Sequence, residues 1–146
     1  MMIKGEVMSS EAVTREDLKN VLNKVLPPKV SSVDYVVEEG TSGIWTYRKW
    51  NSGIAECWGE YPLAYTSFLA WGSALYYTQP YRSLSFPSGL FVDIPVVNGA
   101  RVRGVDGWFG VESINKDTLN NLYMMRPTSV GAGTTNIGII AKGRWK

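Results

Sequence analysis

The sequence predicts an all-β protein, an antiparallel β-sandwich with one short N-terminal α-helix. Three observations carry this. Short runs rich in Val, Ile, Tyr, Phe and Trp alternate with polar residues at a period of two, as half-buried strands do. Gly, Pro, Asn and Asp punctuate the chain every ~8–12 residues, the turn spacing of sandwiches and barrels. A helical period occurs only near the N-terminus.

Taken in order, residues 1–13 are polar and small, a fraying end. Thr14 is placed to cap a helix, with Asp17 as the capping-box acid and Glu16 beside it at the positive helix end. Leu18, Val21, Leu22 and Val25 follow at i, i+3, i+4 and i+7, one apolar stripe. Pro27 and Pro28 stop the helix, and PPKVSS makes a stiff connector. A helix of about 12 residues is marginal alone in water, so the stripe must pack, either on its own sheet or on copies from sister chains. This divides the chain into 1–30, a tail and helix for assembly or attachment, and 31–146, the sandwich.

Val33 to Glu38 reads as a strand, and Gly40 to Gly43 as a turn. The stretch GIWTYRKWNSGIAECWGEY, Gly43 to Tyr61, carries three of the six tryptophans and reads as a hairpin. Asn51-Ser52-Gly53 fits a three-residue loop closed by a left-handed glycine. That loop pairs Arg48 with Glu56 and Thr46 with Trp58 on one face, and Lys49 with Ala55, Tyr47 with Cys57 and Trp45 with Gly59 on the other. The second face is apolar and suits the core. The first combines charges with Ile44, Trp50, Ile54 and Trp58, more apolar area than a solvated face needs, so these four join the helix stripe as candidate subunit-interface residues.

Tyr65 to Thr78 reads as one or two strands, broken at Gly72-Ser73, with helix as the alternative. Tyr81 to Phe86 is a strand, and Leu90 to Val97 alternates as one, with Pro95 arguing for an edge or bulge. Asn98-Gly99 is a hairpin signal. Val102 to Asp106 and Trp108 to Ser113 flank a turn at Asp106-Gly107. Leu119 to Arg126 reads as strand, and Asn136 to Trp145 closes the domain with Ile137, Ile139, Ala141, Gly143 and Trp145 on one face.

Composition limits the function classes. The chain has 146 residues, enough for one domain with a real core. Its net charge of +2 argues against duplex nucleic acid or an anionic membrane as partner. It has no histidine and one cysteine, Cys57, which removes intramolecular disulfides, ordinary structural zinc sites and every His-dependent triad. Glu56 and Glu60 fall roughly 13 Å apart on one strand, beyond either glycosidase spacing. Asp93, Asp106, Glu112 and Asp117 read as solvating acids. The glycines form no phosphate-binding loop. No catalytic residue, metal site or cofactor is expected.

The aromatics are the remaining candidates. Trp71, Tyr76, Tyr77 and Tyr81 cluster in sequence, with Arg82 beside them and Trp108 in a later turn. The C–H faces of a sugar ring stack on such side chains while polar groups bond its hydroxyls. Stacking with Arg could also hold a single nucleic-acid strand, but no nucleic-acid partner is expected. These six are the candidate ligand-binding residues.

Two stretches resemble a known family. Thr41 to Glu60, with its pattern Trp45, Tyr47-Arg48-Lys49-Trp50, Ser52-Gly53, Ala55-Glu56-Cys57-Trp58, and the terminal Ala141 to Lys146, AKGRWK, resemble the C-terminal domains of tail-fibre, baseplate or head-fibre proteins from phages and prophages of Gram-positive bacteria. Ser85-Phe86-Pro87 matches the later Phe-Pro strand of such chains. The resemblance implies a virion structural protein made in the host cytoplasm, homotrimeric, associating with other virion proteins and adsorbing through a host cell-surface carbohydrate. A ligand-free decoration, head fibre or connector is the alternative, and a polysaccharide depolymerase a more distant one.

Overall fold

The computed structural model describes residues 12–25 and 33–146. The tail over 1–11, the Pro27-Pro28 stop and the connector through Ser32 lie outside the described residues, as does the side chain of Val25. The chain divides into two compact units, one ending at Val33 and one spanning Asp34–Lys146.

In the first unit, α1 spans Arg15–Val25. The capping box forms as expected: the Asp17 N–H donates to Thr14 Oγ1 at 3.1 Å, and the Thr14 N–H donates to Asp17 Oδ2 at 3.0 Å. The Thr14 hydroxyl also donates to Asp17 Oδ2, and this bond, with the one from the Thr14 N–H, holds the Asp17 carboxyl below its ordinary pKa. Leu18, Val21 and Leu22 are exposed.

The second unit is a sandwich of two antiparallel sheets. The first sheet has the order β1 (Val36–Ser42), β2 (Trp45–Trp50), β3 (Ile54–Tyr65), β10 (Gly133–Arg144), β7 (Val96–Arg103). The second is built on β9 (Thr118–Arg126). One edge of β9 pairs with β8 (Trp108–Ile114). Its other edge pairs with β5 (Leu75–Gln79) near its C-terminal end and with β6 (Arg82–Ser85) near its N-terminal end. These two are therefore halves of one interrupted strand, and β4 (Ser67–Trp71) completes the sheet beside β5.

The central hairpin takes the expected register, with Thr46 opposite Trp58, Tyr47 opposite Cys57, Arg48 opposite Glu56 and Lys49 opposite Ala55. Trp45, Ala55 and Cys57 are buried. The break in the 65–78 run falls at Gly72, whose φ of +66° suits only glycine without strain. Tyr65 itself belongs to β3, which continues through Pro62. Pairing with β2 stops at Trp58, so Pro62 meets no second partner strand on that side.

Three expectations are corrected. The turn expected over Gly40 to Gly43 lies at Gly43-Ile44, with Ser42 opposite Trp45, because Gly43 takes the left-handed φ of +58° there. The strand expected over Leu90 to Val97 begins only at Val96. Leu90 and Phe91 are both buried although adjacent, which no strand allows on one face, and Pro95 removes a ladder donor. Asn98-Gly99 is not a turn but the middle of β7, with Gly99 opposite Ile139. The ring of Phe109 occupies the space a Cβ on Gly99 would need.

The core lies between the sheets. Ala55, Cys57, Leu63, Ile137, Ile139 and Ala141 from the first face Leu119, Leu122 and Met124 from the second, with Phe86, Leu90 and Phe91 between. Trp45 ties the layers: its Nε1–H donates to the Ser85 carbonyl at 2.7 Å, and its ring packs at 5.6 Å from that of Phe86. At the chain's end Trp145 Nε1–H donates to the Trp50 carbonyl at 2.8 Å.

Burial pushes the Cys57 thiol up to about 12 from 9.0. The native protein should therefore resist thiol reagents at neutral pH and label in step with unfolding by urea, followed by mass spectrometry. The sign for stability follows: the neutral thiol is favoured in the fold, so this contribution is intact below pH 9 and is lost as pH rises from 9 towards 12.

Candidate ligand-binding site

The candidate site is built on the outer face of the second sheet. Along β9, Leu122 and Met124 point into the core, so Tyr123 and Met125 point out. Leu119 is buried as well, three residues before Leu122. Asn121, at a φ of +57°, absorbs the odd residue, and the pairing with β6 shifts register there. On β5, Thr78 is fully buried and accepts the Met124 N–H at 3.0 Å, which turns Tyr77 outward. On β8, Gly110 lies opposite Tyr123, and the tyrosine ring fills the space a Cβ on Gly110 would take. Tyr81 sits at the interruption between β5 and β6.

These choices assemble four rings. Tyr77 is the hub: Tyr81 stacks on it at 5.7 Å and 15°, while Trp71 and Tyr123 meet it edge-on at 6.4 and 6.2 Å. Tyr81 and Tyr123 are 5.9 Å apart. With Val111 and Glu112 they line a cavity of about 340 Å³. Trp71 stays 55% exposed and forms an open wall, a surface a ring could lie against. Glu112 accepts a hydrogen bond from the Asn121 side-chain amide. Burial, with Tyr77 and the Glu112 charge nearby, raises the pKa of the Tyr81 phenol. Among the described residues no lysine or arginine lines the cavity.

Trp71, Tyr77 and Tyr81 are thus brought together, and the other three sequence candidates are not. Tyr76 shares the inward face of β5 with Thr78, because adjacent strand residues alternate. Arg82 turns its Nε–H to the Ala64 carbonyl, at 3.5 Å. Trp108 lies beyond the cavity but on the same outer face: Leu69 opposite Tyr77, Tyr77 opposite Met125 and Met125 opposite Trp108 form one row across β4, β5, β9 and β8. Beside Trp108, a second cavity of about 310 Å³ is lined by Arg101, Asp106 and Arg126, with Arg101 paired to Asp106 at 2.9 Å. Tyr123, Val111 and Glu112 were not among the sequence candidates. The signal for Tyr123 was present, since it alternates against Leu122 and Met124.

The candidate interface residues sit on the other sheet and the helix. Ile44 packs against the core. Trp50, Ile54 and Trp58 are half-buried, and the Arg48 guanidinium covers Trp58 at 5.3 Å. Trp58, Val102 and Ile140 line a shallow groove on the outer face of the first sheet, with Val102 and Ile140 exposed. The acids are distributed. Glu56 lies on β3 opposite Arg48 and Lys142, and Asp106 pairs with Arg101. Asp93 faces Arg144 at 4.0 Å, and Glu112 is in the aromatic cavity. Among the described residues no His, Cys, Asp or Glu group could hold a metal, and no helix is long and apolar enough to cross a membrane.

No protein-family model matches the chain, and neither does any curated protein. Among solved structures the chain is similar to the N-truncated R1-type pyocin tail fiber, with a TM-score of 0.42 and 14% identity over 91% of this chain and 98% of that one.

Proposed function

We propose that the protein is a non-enzymatic structural component of a phage particle, a homotrimeric fibre-type part whose sandwich recognises a carbohydrate on the host cell surface. The four-ring cavity on the second sheet carries the recognition half of this reading. A concave, largely aromatic site with a carboxylate and an amide at hand has the composition that sugars require: flat apolar platforms for C–H faces and few polar groups for hydroxyls. The virion half is supported by the resemblance of Thr41 to Glu60 and of the last six residues to phage fibre-type proteins. Assembly is supported by the exposed stripe of Leu18, Val21 and Leu22 and by the apolar groove at Trp58, Val102 and Ile140. A closed trimer covers such surfaces with one contact repeated about an axis. In this reading residues 1–30 serve assembly or attachment to other virion proteins, and the sandwich carries the ligand.

Two measurements test it. A glycan array with purified host surface polysaccharides should show selective binding. Multi-angle light scattering at micromolar concentration should give three times the chain mass. An intact trimer that binds no glycan would favour a ligand-free decoration or connector instead, and a monomer would remove the trimer.

A further inference from the structure

Among the described residues, Glu112 is the one charged group lining the aromatic cavity, and no lysine or arginine lines it. The carboxylate is also positioned. Asn121 donates its side-chain amide to Glu112 across the β8–β9 pair, and the left-handed backbone of Asn121 sets where that amide starts. An ionised carboxylate only accepts hydrogen bonds. The Asn121 amide takes one acceptor position, and Glu112 lines the cavity together with Trp71, Tyr77, Tyr81, Tyr123 and Val111.

Resting on the carbohydrate reading above, we propose that this cavity selects a saccharide carrying a free ammonium group, an amino sugar that is not N-acetylated, with Glu112 as the specificity-determining residue. Three physical terms point the same way. A charge-assisted N⁺–H···O⁻ bond is about twice as strong as a neutral one. The faces of Tyr77, Tyr81, Tyr123 and Trp71 are negative and attract a cation. A uronic acid or phosphorylated sugar would place a second negative charge beside Glu112 with no cationic side chain among the described lining residues, and neighbouring like charges disfavour binding. N-acetylation removes the cation and adds bulk at the same atom, so it reverses the first two terms together.

The test compares two oligomers with one backbone: a glucosamine tetramer and its fully N-acetylated counterpart, titrated calorimetrically at mildly acidic pH, where the amines are charged. The wild-type protein should bind the free-amine tetramer at least tenfold more tightly. Glu112→Gln keeps an acceptor for the Asn121 amide but removes the charge, and should bring the two affinities within about twofold while the melting temperature stays unchanged. Equal affinity in the wild type, or a preference that survives in Glu112→Gln, overturns the role of Glu112 and leaves the carbohydrate reading standing. Binding of neither tetramer, nor of any saccharide on the array, overturns both.

Discussion

Tyr77→Ala should abolish most host-glycan binding while leaving the fold intact. Truncating an aromatic anchor at the centre of a site costs about 2 kcal/mol or more, roughly thirtyfold in affinity. In the proposed site Tyr77 would be that anchor, because Trp71, Tyr81 and Tyr123 all rest on its ring and none of the others touches the remaining three. Its side chain lies on the outer face, so the core between the sheets is untouched. Calorimetric titration with the host polysaccharide measures the loss, and thermal melting checks the fold. Tyr35→Ala, at an exposed tyrosine outside the cavity, is the control: it removes an equally large ring and should leave glycan affinity within twofold. Similar losses in both variants would place the ligand elsewhere.

The largest stability effect is expected at Trp45. Trp45→Ala removes a buried indole that packs on Phe86 and spans both layers, at a cost of about 3–5 kcal/mol. Since a domain of this size is stable by about 5–15 kcal/mol in total, the variant should unfold at far lower urea or not fold at all. Trp45→Phe separates two contributions. It keeps a ring but loses the Nε1–H bond, leaving the Ser85 carbonyl without its donor, and should cost about 1–3 kcal/mol for that group. A Phe variant as stable as wild type would show that the inter-layer hydrogen bond contributes nothing net.

The hairpin was legible in the sequence because three signals agreed: period-two alternation, a three-residue turn ending in Gly53, and a small-against-large pairing that only one register satisfies. The closing strand was legible for the same reason, with Ile137, Ile139 and Ala141 all inward. The 90–95 segment was not. Its alternation of Leu90, Val92 and Ile94 suits a strand, but it runs beside only the end of β10, where the Val92 N–H donates to the Arg144 carbonyl, and forms no ladder before Val96. Asn98-Gly99 misled because a glycine can make room for a ring as readily as it can turn a chain. The site was half legible. Aromatic clustering found Trp71, Tyr77 and Tyr81, which are near in sequence. Tyr123 and Glu112 arrive from β9 and β8, more than thirty residues away, and only pairing register brings them in. Tyr76 looked equivalent to Tyr77 because composition carries no information about faces.

The row of Leu69, Tyr77, Met125 and Trp108 has one more property. Its members come from four different strands, so their separation is a lattice constant of the sheet, about 4.8 Å per step, set by backbone hydrogen bonds. Side-chain replacement alters the chemistry at each station and leaves the pitch between stations fixed. Such a surface can change what it touches, one position at a time, without touching the ladder that keeps it folded.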